Sequence, residues 1–189
     1  MEQQFTPAVK AEIMDAGAVQ RAITRISFEI SERNHGVDNL CLLGILRRGP
    51  VVAQRIADKL ASVEGAAPPV GRLDVTPRRD DLSGSTPEDC SDIPFPLDGV
   101  RVVLVDDVIY TGRTVRAAID AIMARGRPAC IQLAVLIDRG HRELPIKADY
   151  IGKNLPTSHS ERVWVRLLEL DGEDGVVITD LRQAEPAEQ

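Results

Sequence analysis

Residues 102–122 read VVLVDDVIYTGRTVRAAIDAI. Four apolar residues lead into Asp106 and Asp107, a Thr-Gly-Arg-Thr turn follows at 111–114, and the run beyond has helical spacing. A short continuous apolar run marks a strand covered on both faces, and a strand feeding a helix through a tight turn is the repeating unit of a parallel sheet. The neighbouring segments repeat this alternation. NLCLLGI (39–45) and ACIQLAVLID (129–138) are further buried strands, and VGRLDVT (70–76) alternates as a strand does. Val19, Ala22, Ile23, Ile26 and Ile30 lie on one face of a helix over 15–34, with Asp15 as N-cap and Asn34-His35-Gly36 as the stop. A second helix runs 51–65, with Pro50 suited to its first turn, and a third runs 112–125 to Gly126 and Pro128. Later strands are expected at 162–170 and 176–180, ahead of a frayed tail.

Strands alternating with helices predict an α/β fold with a mainly parallel central sheet. With 189 residues, no internal repeat and no low-complexity linker, the chain reads as one domain, 1–189. Residues 77–99 are rich in Pro, Asp, Ser, Gly and Thr without periodicity, as expected of a mobile lid or hairpin. The N-terminus lacks the basic start and apolar core of a signal peptide, and no stretch is long enough for a membrane span. Cys41, Cys90 and Cys130 are isolated and odd in number, which speaks against a disulfide framework or zinc site and for a cytoplasmic location. Cys41 and Cys130 sit in apolar runs and read as core residues. A net charge of −6 argues against non-specific nucleic-acid binding but leaves room for a local basic patch.

Ligands of parallel α/β sheets bind beyond the carboxyl ends of the strands, so Asp106 and Asp107, ending a strand, should face that crevice. Gly112 permits close backbone approach, the helix start offers unpaired N–H groups to an anion, and Thr111 and Thr114 add hydroxyls. Carboxylates beside an anion site make sense if one ligand carries a diol at one end and a phosphate at the other, as a ribose 5-phosphate does. The alternative is an acidic strand end with a glycine turn beyond it. The chain has neither GxxxxGK[ST] nor GxGxxG.

The DDVIYTGRT stretch resembles the phosphoribosyl-pyrophosphate (PRPP) motif of the type I phosphoribosyltransferases. Together with GRPACIQLAVLIDRGHRELPIKADYIGKNLPT and the RRDDLS of 78–83, it is similar to the family's bifunctional pyrimidine-operon regulators, from about residue 15 to about 180. The resemblance implies the type I fold, with a lid and a small hood over about 139–180. It also implies transfer of phosphoribosyl from PRPP to uracil, giving UMP and pyrophosphate, with Mg²⁺ carried mainly by PRPP and no dedicated metal ligands. Asp106 and Asp107 would then hold the ribose hydroxyls, and Val108, Ile109, Tyr110, Thr111, Gly112, Arg113 and Thr114 would complete the PRPP and UMP site. Arg47 and Arg48 occupy the pyrophosphate loop, 44–49, where the family often has a non-proline cis peptide. Arg79 matches the lid residue that closes on pyrophosphate; otherwise Arg78 and Arg79 are solvated loop charges. Asp138 and Arg139 match the nucleobase pocket, with Val163 offering backbone contacts to the base.

The resemblance further implies a homodimer, able to build to tetramers or hexamers, whose concave surface binds the leader mRNA of a pyrimidine operon under control of UMP or UTP. The matching positions are Thr24, Arg25, Arg142, Lys147 and Lys153. Lys147 stands where relatives often have Arg, and Phe28 where one carries His. The alternatives are a phosphoribosyltransferase without RNA regulation, or one acting on a purine or orotate. His141 reads either as an acid–base group or as a loop or interface histidine, and His35 and His159 as solvated turn residues.

Overall fold

The structure, a computed structural model, describes residues 9–79 and 88–180. Its central sheet has five parallel strands in the order β3-β2-β4-β5-β6. These are β2 (Leu40–Ile45), β3 (Val70–Leu73), β4 (Arg101–Ile109), β5 (Cys130–Asp138) and β6 (Tyr150–Asn154). Side chains alternate across the sheet and build a core on each side. Leu42, Val103, Val105 and Leu136 pack with Ile23, Ile26 and Ile30 of α1 (Ala16–Asn34) and Ile56 of α2 (Gly49–Glu64). Leu43, Leu104, Leu133 and Val135 meet Val115, Ala118 and Ile122 of α3 (Arg113–Met123) on the other side.

Helix ends follow the local chemistry. The Asp15 carboxylate accepts the Ala18 N–H at 2.7 Å, and His35 leaves α1 in the left-handed conformation at φ 56°. At the start of α2 the packing demands glycine. A Cβ on Gly44 would lie 2.3 Å from the Pro50 nitrogen, and one on Gly49 would lie 2.5 Å from the Val105 carbonyl oxygen. The loop between β2 and α2 is thereby pressed against β4, and its Leu46–Arg47 peptide is cis, in the loop where the family resemblance led one to expect such a bond.

A second sheet, antiparallel in the order β1-β8-β7, uses both ends of the described chain: β1 (Val9–Met14), β7 (Glu161–Arg166) and β8 (Gly175–Asp180). The one-turn helix α4 (Leu168–Asp171) joins β7 to β8. Arg55 of α2 ties this unit to the core, donating to Glu169 and to both carboxylate oxygens of Asp174 at 2.8 and 2.9 Å.

Several expectations need correction. β4 does not end at the acid pair but runs on to Ile109. Residues 168–170 form α4 rather than the end of a strand, because the Asp174 and Asp171 carboxylates take the Leu168 and Leu167 N–H groups. Cys130 is exposed, since it opens β5 at the sheet's rim. β1 and β6 were not anticipated: β1 is mostly exposed, and β6 is short and carries Gly152, where a Cβ would meet the Leu136 carbonyl at 2.4 Å. Of the expected lid, 80–87 lies outside the described residues, as does the tail from 181. Thr76–Arg78 forms a 3-10 turn, and Asp92 returns to bridge Arg72.

Candidate active site

β2 pairs with β4 only as far as Gly44 opposite Val105, whereas β5 follows β4 to Ile109. Beyond Val105 the sheet therefore opens on one side, and Asp106 and Asp107 stand at that opening. A cleft of about 300 Å³ is lined by Leu46, Arg47 and Arg48 from the loop, Asp106, Asp107 and Val108 from β4, and Arg162 to Val165 from β7. Six of the expected site residues thus meet at one place: Arg47, Arg48, Asp106, Asp107, Val108 and Val163.

The two acids are held at their own backbone. One Asp106 oxygen accepts the Asp107 N–H at 2.9 Å, and one Asp107 oxygen accepts the Val108 N–H at 3.0 Å. Burial, and then the neighbouring Asp107 charge, push Asp106 well above the usual carboxylate range, against the opposing charge of Arg79. Burial also raises Asp107, while its hydrogen bond with Asp106 and the charge of Arg48 pull it down. The pair is poised for a ligand that supplies hydroxyl donors or positive charge.

The expected phosphate loop follows directly. Gly112, at φ 92°, begins α3 without any side-chain cap, so the helix's first amides are left for a ligand; the Arg113 N–H leans on the Thr111 hydroxyl at 3.3 Å. Thr111 and Thr114 are partly exposed and Ile109 is buried. Residues 140–146 wrap the loop from outside. The Thr111 carbonyl accepts from Glu143 and Leu144, Arg113 pairs with Glu143 at 2.7 Å, and Leu144 and Ile146 lie over Gly112.

Arg142 belongs to this wrap. Its guanidinium donates to the carbonyls of Tyr110, Gly140 and Ile146 at 2.7–3.1 Å and pairs with Asp138 at 2.7 Å. It braces the turn ahead of α3 and the 140–146 wrap instead of presenting a free surface cation. Arg139, expected in the nucleobase pocket, is buried and lies 4.0 Å over the Tyr110 ring. Its donors go to the Thr157 hydroxyl and the Ser158 and Glu161 carbonyls, which fixes the approach to β7. His159 is exposed in a turn, as expected, and it meets His141. Their rings are 4.2 Å apart, and the Tyr110 hydroxyl is 3.3 Å from His159 Nδ1.

Arg48 is committed to β7 and α4. Its Nε donates to the Val165 carbonyl at 2.7 Å and its Nη2 to Asp171 at 2.8 Å, while its guanidinium lies 4.9 Å from the Trp164 ring. Arg79, partly buried at the start of the expected lid, is close enough for its charge to act on Asp106. The buried Asp74, which the sequence reading missed, ties together the described segments on either side of residues 80–87. Its carboxylate accepts the N–H groups of Thr76 at 2.9 Å and Cys90 at 3.2 Å. Trp164 and Arg162 were also overlooked; a lone tryptophan alternating with valines was the available signal.

Four expected RNA contacts share another surface. Thr24 and Arg25 lie on α1, and Arg25 donates to the Ile151 carbonyl of β6 at 3.2 Å. Lys153 also lies on β6, reaching the Ile13 carbonyl at 3.2 Å. Lys147 lines a groove of about 490 Å³ with Arg33, Ile151 and the acidic Glu29 and Asp149.

A model of the phosphoribosyl transferase domain matches residues 10–169. The chain is 59% identical to the bifunctional protein PyrR of Acetivibrio thermocellus, over 92% of this chain and 96% of that one. It is 58% identical to the protein of the same name from Pelotomaculum thermopropionicum, over 90% and 96%. Among solved structures, the hypoxanthine phosphoribosyltransferase of Trypanosoma cruzi aligns with a TM-score of 0.75 at 19% identity, covering 94% of this chain and 98% of that one. That of Staphylococcus aureus gives 0.72 at 15%, covering 94% and 95%. At such identities these two establish the shared fold alone. Among the described residues no helix is long and apolar enough to cross a membrane.

Proposed function

This chain belongs to the PyrR family of phosphoribosyl transferase domain proteins, and from that premise we propose that it converts uracil and PRPP to UMP and pyrophosphate and regulates a pyrimidine operon by binding its leader mRNA. The observation that carries the first part is the acid pair lining the cleft, followed along the chain by the start of α3 at Gly112, which has no side-chain cap. Asp106 and Asp107 accept the ribose hydroxyls, and the amides opening α3, with Thr111 and Thr114, seat the 5-phosphate. As the bond from the anomeric carbon to pyrophosphate weakens, positive charge grows on the ribose ring. The nearby carboxylates, short of solvent, stabilise that charge. Arg47 and Arg79 face the departing pyrophosphate, while Arg48, held by the hood, keeps the loop in place. Val108, Ile109, Tyr110, Gly112 and Arg113 shape the site, and Arg139 with Val163 presents the wall for the base.

Among the described residues no three His, Cys, Asp or Glu side chains cluster as a metal site. The two aspartates are oxygen donors of the kind a hard cation accepts alongside substrate oxygens. Mg²⁺ carried by PRPP would neutralise charge on the leaving pyrophosphate.

The regulatory part rests on the α1–β6 surface, where Thr24, Arg25, Lys147 and Lys153 supply contacts for RNA phosphates. A uridine nucleotide in the cleft acts on this surface through β6 and the 140–146 wrap, and the proposed unit is a homodimer that can build to tetramers or hexamers. The acidic Glu29 and Asp149 in the same groove favour one alternative, a phosphoribosyltransferase without RNA regulation.

Two assays test the proposal. Purified protein with labelled uracil, PRPP and Mg²⁺ should yield UMP, and turnover of hypoxanthine alone would overturn the substrate assignment. Filter binding to a pyrimidine-operon leader should tighten with UMP; affinity indifferent to UMP and to loss of Arg25 and Lys147 would leave the enzyme alone standing.

A further inference from the structure

The cleft wall opposite the acid pair is β7, whose side chains alternate. All four residues from Arg162 to Val165 border the cleft, but Val163 and Val165 are buried in the core, whereas Arg162 is exposed and Trp164 partly exposed. The guanidinium of Arg162 lies 5.2 Å from the Trp164 ring centroid, a stacking contact that limits where its charge can go. Its neighbour on the same indole, Arg48, has its donors taken by the Val165 carbonyl and Asp171. Arg162 makes no hydrogen bond or ion pair through its guanidinium among the described residues. An exposed, oriented cation with unused N–H donors therefore borders a cleft whose lining includes no histidine, and whose two carboxylates are already assigned to the ribose.

On the reading of the previous subsection, on which this rests, we infer that Arg162 is a specificity-determining contact to the nucleobase, donating to the C4 carbonyl oxygen of uracil and favouring the base that has lost its N1 proton. The nucleophile needs such help. N1 gives its electron pair to the anomeric carbon, the carbon–oxygen bond to pyrophosphate breaks with its pair on oxygen, and the N1 proton passes to the departing pyrophosphate. Negative charge left on N1 spreads through the ring to O4, where a guanidinium holds it best. Cytosine would turn an amino donor toward the guanidinium's own donors, so the same residue rejects it.

The test compares uracil, 5-fluorouracil and cytosine across pH for the wild type, Arg162→Leu and Arg162→Lys. Losing a charge-assisted hydrogen bond should lower kcat/KM for uracil about tenfold to a hundredfold in Arg162→Leu and move its pH profile upward. 5-Fluorouracil, whose ring N–H is more acidic, should lose far less. Arg162→Lys should fall between, with cytosine discrimination weakened in both variants. Equal losses on uracil and 5-fluorouracil with an unshifted profile would make Arg162 a structural support and overturn the inference, as would no loss at all. If Arg162→Leu does not fold, the same ratio is read from Arg162→Lys. The chain's single tryptophan, Trp164, supplies a readout independent of turnover. Its emission should change as UMP saturates the site, with saturation followed by equilibrium dialysis. Bound UMP with unchanged Trp164 emission counts against the wall, whereas a wild type inert toward uracil counts against the proposed reaction itself.

Discussion

Asp106 and Asp107 were plain in the sequence because four apolar residues before them and a glycine turn after them fix their place without tertiary information. Their electrostatics follow from burial and have a testable sign. A carboxyl raised in the folded state makes the native chain bind more protons than the unfolded chain between the ordinary carboxylate value and the higher folded one. Stability therefore falls as pH rises through that window. Asp106→Asn should melt above the wild type at pH 7, with the gap closing as pH drops toward the usual carboxylate range, while kcat falls about a hundredfold or more. Equal melting curves at pH 7 would mean that the pair imposes no strain. Asp74 behaves oppositely. Burial alone would raise it, but the hydrogen bonds of Thr76 and Cys90 hold it below the usual range, so its stabilisation is present above the ordinary value and lost as pH falls through the lower one. Asp74→Ala should cost about 1–3 kcal/mol in urea unfolding at pH 7. Nothing local to Asp74 announced this: its partners at 76 and 90 meet only once the chain has doubled back.

At the scale of elements, periodicity revealed what is buried and hid what is not. β2, all of whose residues are buried, and α1, with its apolar stripe and aspartate cap, were readable at nearly their observed limits. β1 escaped because an exposed edge strand has no apolar alternation to read. β6 escaped because its glycine, required by the Leu136 carbonyl, breaks the pattern. β4 was cut short because two aspartates look like a strand end, although pairing with β5 carries the ladder past them. The join between loop and α2 is the tightest of these contacts, and backbone atoms cannot move aside as a side chain can. Gly49→Ala, whose new methyl would meet the Val105 carbonyl, should destabilise the fold by about 1–3 kcal/mol, seen as a lower urea midpoint. Full stability in that variant would show that the loop can stand off from β4. The 140–146 wrap makes a contrasting case. Arg142→Gln removes donors that hold the Tyr110 and Ile146 carbonyls, so kcat/KM for uracil should drop about tenfold even though Arg142 never reaches the cleft lining.

For the whole molecule, the second sheet and its docking were the least legible part, because strands from opposite ends of the chain build it and no local pattern pairs them. Met14, Val163, Val165, Leu167 and Val176 bury it against the core, and a few polar contacts add to that attachment. Arg55 spans Glu169 and Asp174, and Arg48 spans Val165 and Asp171. Arg55→Ala should lower global stability by about 2 kcal/mol and raise the KM for PRPP, since the hood supplies one cleft wall. The proposed RNA surface makes a different demand, because its cations would act through counterion release. Replacing Arg25 and Lys147 by Gln should flatten the salt dependence of leader binding by about one unit of slope per cation, measured by titrations across salt concentrations.

β1 cannot find its partner until β8 exists, and β8 is the last described strand to leave the ribosome. The parallel sheet and the acid pair can assemble while the chain is still growing, but the roof over the cleft must wait for the final stretch of translation. Chains broken off early would carry a phosphate loop without a chamber. On the proposed function, nucleotide retention should require synthesis through to residue 180.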